Sequence, residues 1–153
     1  MNKKIFAAAA AWLALSGSPL PALASGGFWC DAEDKNVKFH VTSGTQRGGA
    51  GGLLNFKADL EILLKNIPPD FKKLDLKNAL TQHWIDGKDF KLRLYTERNE
   101  GLFGAVEFII DTKAADEGEY KGIYALSVES MQSEKDSEAK RWKARGKITC
   151  SAE

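Results

Sequence analysis

Residues 141–150 alternate without a fault: Trp142, Ala144, Gly146, Ile148 and Cys150 are set against Lys143, Arg145, Lys147 and Thr149. A period of two marks a strand with one buried and one wet face. The strand ends on one of only two cysteines in the chain. The other, Cys30, stands at the opposite end of the mature sequence, two residues after Phe28, in a similar inward setting. A Cys30–Cys150 bridge would tie the first strand to the last, so the fold must bring its two ends side by side. The loop so closed holds about 120 residues, for which the chain-entropy model gives about 4 to 5 kcal/mol, less any strain in the native bond.

Residues 1–24 read as a cleaved signal peptide. Lys3 and Lys4 precede an apolar run over 5–15; Gly17, Pro19 and Pro21 break it; and Ala22-Leu23-Ala24 supplies the small-x-small cleavage pattern. The run is too short for the roughly 20 residues of a spanning helix, so no stable membrane insertion is expected after cleavage. Cys30 follows Phe28 and Trp29, which a lipid-attachment motif would not hold. The expected compartment is the periplasm or the exterior of a bacterium, where a pair of cysteines reads as a structural disulfide. Residues 25–153 then make a single domain of 129 residues. The 22 basic and 21 acidic residues become 20 and 21 once Lys3 and Lys4 leave, a balance of −1. So even a balance offers no global field for nucleic acid.

Alternation recurs along the mature chain. Phe28 to Cys30 form a short first strand, and Val37, Phe39 and Val41 bury one side of a second. The glycine-rich stretch over 43–52 reads as a long connection. Leu54, Phe56, Ala58, Leu60, Ile62 and Leu64 make a long third strand, which Pro68 and Pro69 end. A fourth is expected over 71–76. Residues 78–86 are ambiguous, with Ala79, Leu80, His83 and Trp84 at helical spacing and Leu80, Gln82 and Trp84 at strand spacing; they are read as a turn of helix or an irregular loop. Strands through Phe90, Leu92 and Leu94, through Gly104 to Ile110, through Tyr120 to Val128, and over 141–150 complete eight. An even count of strands joined by polar reversals predicts an all-β, eight-stranded antiparallel up-and-down barrel, its first and last strands paired under the disulfide. A two-sheet sandwich is the alternative, because alternation does not say what the inward face meets.

Chemistry-bearing patterns are sparse. No nucleophile-elbow motif surrounds Ser43, and no metal-ligand spacing involves His40 or His83. The glycines after Arg47, including Gly49 and Gly51, lead into a strand and lack the Gly-Lys-Ser/Thr ending of a phosphate loop. No catalytic residue, metal or cofactor is therefore expected, and the chain reads as a non-enzymatic binding protein. The candidate partner-binding residues are Arg47, Gly49 and Gly51 of the loop, His83 and Trp84 of the ambiguous segment, and the row Lys143, Arg145 and Lys147. For the row, the plain structural account is neutralisation by acids on neighbouring strands, with Asp31, Glu33 and Glu129 the candidates. Tyr95, Ile109 and Ile123 fall on the wet side and would make an outer apolar patch if their strands are neighbours.

In outline the chain resembles the secreted lysozyme-inhibitor barrels, which are small, exported and disulfide-closed. Their recognition signature is Ser-Gly-x-x-Tyr; Ser43-Gly44-Thr45-Gln46-Arg47 begins in the same way and has Arg47 where the tyrosine belongs. That departure removes the specific part of the match, so no family is assigned; the first reading is a binder of another protein, an inhibitor or an envelope-assembly partner, engaging through the loop over 44–52 and the outer surface. The alternative is a small apolar ligand carried inside the barrel. The large inward residues favour the protein, and Ala58, Gly104, Gly122, Ala144 and Gly146, if clustered, would favour a cavity.

Overall fold

The computed structural model describes residues 26–45, 52–86 and 88–153. The expected signal peptide and the loop candidates Arg47, Gly49 and Gly51 lie outside these residues. Nine strands follow in order: β1 (Gly26–Glu33), β2 (Val37–Thr45), β3 (Leu53–Ile62), β4 (Lys73–Asp75), β5 (Leu80–Asp86), β6 (Asp89–Glu97), β7 (Gly104–Asp116), β8 (Glu119–Ser130) and β9 (Lys140–Ala152). A 3-10 turn, Pro69–Phe71, lies between β3 and β4. All nine belong to one antiparallel sheet in the order β4-β3-β2-β1-β9-β8-β7-β6-β5, so the two-sheet sandwich does not form.

The sheet coils into a half-barrel. Strands far apart in it meet across the interior: Phe39 of β2 stacks on Phe108 of β7 at 4.3 Å, and Phe28 of β1 meets Phe90 of β6 edge-on at 4.8 Å. Tyr124 extends the first stack at 5.2 Å from Phe108, and Tyr120 lies 5.7 Å from Phe90. Around these rings Val37, Val41, Leu60, Leu92, Ile110 and Ile148 are fully buried. Each comes from the inward phase of an alternating strand, so the period of two is what brings this apolar surface together. These ring contacts bridge the interior from β2 to β7 and from β1 to β6.

The expected closed barrel of eight strands is corrected at three places. Residues 80–86 are strand β5, neither a turn of helix nor an irregular loop. The register shift between Leu80 and Gln82 explains why the pattern misled: beyond it His83 pairs with Leu92 and Ile85 with Phe90, so the inward phase is odd-numbered and Trp84 faces out. The ring also does not close by strand pairing, because β4 and β5 are the two sheet edges. Residues 76–79 turn a corner there: the Leu76 amide donates to the Ala58 carbonyl and the Tyr95 amide to the Ala79 carbonyl, each at 2.7 Å. The chain thus passes from the β3 side to the β6 side without a ladder between them. Finally, Leu54 is exposed, and β3 stops at Ile62 short of Leu64. Asn55 has a positive φ of 53° and β2 shifts register between Thr42 and Gly44, so Leu53 and Phe56, not Leu54, lean on the core.

One end of the half-barrel is pinned by Arg98. Its guanidinium donates to Asp70 and to the Leu102 carbonyl at 2.7 Å, reaches Ser130 Oγ at 3.2 Å, and lies 4.9 Å above the Phe71 ring. The 3-10 turn is thereby tied to the reversal between β6 and β7. Arg98's hydrogen bond is the main reason the Asp70 carboxyl sits below the ordinary carboxylate range, burial opposing it.

Candidate partner-binding surface

The seam that the cysteines were expected to close is present. β1 and β9 pair antiparallel through Phe28↔Ala152, Trp29↔Ser151, Cys30↔Cys150 and Asp31↔Thr149, and the two cysteines are bonded. Both are buried, with the disulfide on the core side of the sheet.

Below this short ladder the two strands separate. Among the described residues, β1 goes on to Glu33 paired with β2 alone, while β9 extends back to Lys140 paired with β8 alone. Asp34, just beyond β1, marks the fork: its carboxylate accepts from the Tyr124 hydroxyl at 2.7 Å and lies where a Cβ on Gly146 would sit. The absent side chain at Gly146 is what admits this contact. Burial pushes the Asp34 carboxyl up, but the Tyr124 hydroxyl, the Asn36 and Val37 amides and nearby Lys35 outweigh it and leave the carboxyl lowered. Burial, and then the hydrogen bond to Asp34, push the Tyr124 phenol up to about 12. The acid is thus held as an anion accepting from a neutral phenol.

The outer face of β5 to β9 carries Trp84, Lys143, Arg145 and Lys147 of the sequence candidates. Register sets Trp84, Lys91, Asp111, Ile123 and Lys147 in one row across it. A second row runs Arg93, Ile109, Ala125 and Arg145. His83 and Trp84 are therefore not brought together with the basic strand; β5 and β9 are four inter-strand steps apart, roughly 19 Å. His83 takes the inward phase of the edge strand, opposite Leu92, and remains exposed there. Trp84 is 58% exposed and stands beside a surface groove of about 560 Å³ over β6, with Ile109 on its far side. Ile109 and Ile123 are exposed on adjacent strands, and Tyr95 lies farther down the same face, hydrogen-bonded to Glu97. The expected outer apolar patch is thus two isoleucines at a diagonal, bordered by the ion pairs Lys91–Asp111 and Arg93–Glu107.

Lys143, Arg145 and Lys147 point outward from β9 in the expected phase. The acids expected to neutralise them are otherwise engaged: Asp31 with His40 at 2.7 Å, Glu33 with Lys38 at 3.6 Å, and Glu129 with Arg141 at 2.7 Å. Opposite the row on β8 stand Ser127, Ala125 and Ile123, none of them charged. Among the described residues the three cations have no ion-pair partner. Strand register decided this, and register is not encoded in either strand alone.

The open segment of β9 beside the row is the feature that sequence reasoning missed. The one signal for it was length, since the last alternating run is much longer than the first. Compared with protein families, with characterised proteins and with solved structures, the chain matches none.

Proposed function

We propose that this is an exported, non-enzymatic domain that binds another protein through the outer face of its C-terminal strands, with Lys143, Arg145 and Lys147 at the centre of the contact. The observation carrying this reading is the cationic row, because three adjacent like charges with no acid partner among the described residues are a cost that a complementary partner would relieve. The exposed Ile109, Ile123 and Trp84 on the same face add apolar area of the kind found at protein contacts. The disulfide suits an oxidising compartment, in line with the leader read in the sequence. No helix among the described residues is long and apolar enough to cross a membrane. The aromatic stack that crosses the interior weighs against the alternative of a small apolar cargo carried within it.

The test is capture from an envelope extract by wild-type protein and by a variant with Lys143→Glu, Arg145→Glu and Lys147→Glu, alongside native mass spectrometry of the purified protein. Wild type is expected to retain a protein at stoichiometric yield that the reversed variant loses at least tenfold. Equal capture by both would remove the cationic row from the reading, and a stoichiometric small molecule in the native spectrum would replace the reading with the carrier.

A further inference from the structure

We propose that the open edge of β9 over residues 140–145 receives an extended acidic peptide as an added strand, its acids alternating with apolar residues. The inference rests on the protein-binding reading above and names the chemistry and pose of the partner. It follows from which backbone groups the edge presents.

Neighbouring residues of a strand send their amide and carbonyl groups to opposite sides. Cys30 and Cys150 face each other with Cα atoms 4.0 Å apart, the close spacing of a pair that does not exchange hydrogen bonds across the ladder. Odd-numbered residues of β9 must therefore bond toward β1 and even-numbered ones toward β8. Two sets of bonds agree: Glu153 exchanges both of its backbone bonds with Gly27 of β1, and the Ala152 amide donates to the Gly118 carbonyl on the β8 side. Carried down the strand, the alternation turns the backbone groups of Arg141, Lys143 and Arg145 toward the side where β1 has left. No backbone hydrogen bond from the described residues meets them there.

The residues that offer free backbone groups are thus the same ones that carry the cations. A strand laid along this edge would bond to Lys143 and Arg145, and its residues directly opposite would point to the same outer face, two residues or about 6.6 Å apart. Acids at those positions would meet Lys143 and Arg145. The intervening residues of the added strand would turn inward beside Ala144 and Trp142, which are only half-buried and pack at the margin of the core. Cations outside, apolar side chains inside and unpaired backbone between them together select an alternating acidic strand. A sulfated or phosphorylated polymer would use the cations alone.

The probe is an acetylated, amidated eight-residue peptide alternating glutamate with valine, compared with a peptide of the same composition with its glutamates in one block, and with heparin. Affinity is read by calorimetry and amide protection by hydrogen exchange. The alternating peptide is expected to bind at least tenfold tighter than the block peptide. Lys143→Gln and Arg145→Gln should each weaken it about threefold, in the range of exposed ion pairs. Arg145→Pro removes a donor on the open side and leaves the β8 ladder intact, so it should abolish binding while Arg145→Gln does not. In wild-type protein the amides of Lys143 and Arg145 should slow on binding and that of Ala144 should not, a reading that stands even if the proline variant fails to fold. Equal affinity for the two peptides, unchanged exchange at Lys143 and Arg145, or heparin binding that survives Arg145→Pro and displaces the peptide would each overturn strand addition. Self-association of the free protein in the ultracentrifuge, with the same two amides protected, would assign the edge to a second copy and overturn it also. If the peptide fails while the envelope partner is still captured through the cationic row, the strand inference falls and the protein-binding reading survives; if capture fails too, both fall.

Discussion

The upper and lower parts of β9 differ in what flanks them. Above the fork, Thr149 to Ala152 pair with β1, Cys150 is bonded to Cys30, and Ile148 is buried. Below it, residues 140–145 have β8 on one side and, among the described residues, no strand on the other, and inward-phase Trp142 and Ala144 are only half-covered. The same alternation runs through both parts, so side-chain pattern does not create the difference. Neighbour length does: β9 extends well past the point where β1 turns back at Asp34. The upper part is where burial needs a seal, and the lower part is where cations and open backbone coincide.

The strongest test of this contrast is removal of the covalent seal. Cys30→Ser with Cys150→Ser is expected to lower unfolding free energy in urea by about 4 to 5 kcal/mol, the chain-entropy figure for a loop of this length. A loss below about 1 kcal/mol would mean that the four-residue ladder holds the ends together unaided, and the two parts of β9 would then differ less than the disulfide implies. Next in size is Gly146→Ala at the fork. A Cβ there would come within 2.5 Å of the Tyr124 ring and closer still to the Asp34 carboxylate, so overpacking should cost about 2 to 3 kcal/mol in the same measurement. A neutral result would show that Asp34 is free to move aside, and that the fork is not fixed.

Asp34 gives the fork a pH signature. Its folded carboxyl is lowered, so the stability it contributes is present above the ordinary carboxylate range and is lost as pH falls through the lower, folded value. Asp34→Asn should cost about 1 to 2 kcal/mol near neutral pH, the worth of hydrogen bonds to a charged group, and nearly nothing in strong acid. Urea titrations of both proteins at neutral pH and near pH 2 check this, since parallel losses at the two values would make the effect one of shape and not charge.

How much of this was legible in the sequence follows the range over which each feature is specified. Alternation over 141–150 is local, and the strand, its inward set and its pairing with the other cysteine were readable from it. Trp84 shows the limit: one inserted residue between Leu80 and Gln82 inverts the phase, so an apparently inward tryptophan faces out. Asn55 acts likewise on Leu54, through a backbone angle that the period cannot reveal. The failure of the barrel to close lies in residues 76–79, which turn between two sheet edges instead of pairing them. For the candidate surface, outward cations were visible, but the acids assigned to them were not, because Asp31 and Glu33 are used by His40 and Lys38 across a different ladder.

The smallest expected effect separates the two kinds of cation on β9 most finely. Arg141 is paired with Glu129 at 2.7 Å, whereas Arg145 has like charges two residues away on either side and uncharged Ala125 across the ladder. Arg141→Gln should therefore cost a few tenths of a kcal/mol, as exposed ion pairs do. Arg145→Gln should cost nothing and slightly stabilise at low salt, since charges about 6.6 Å apart in water repel by about 0.6 kcal/mol before screening. Raising the salt to about 1 M shortens the screening length to about 3 Å and should erase both effects. Thermal midpoints of the two variants at low and high salt test the contrast. If Arg145→Gln destabilises as much as Arg141→Gln, the row has an acid that the folded geometry does not show, and the case for an acidic partner at the open edge loses its ground.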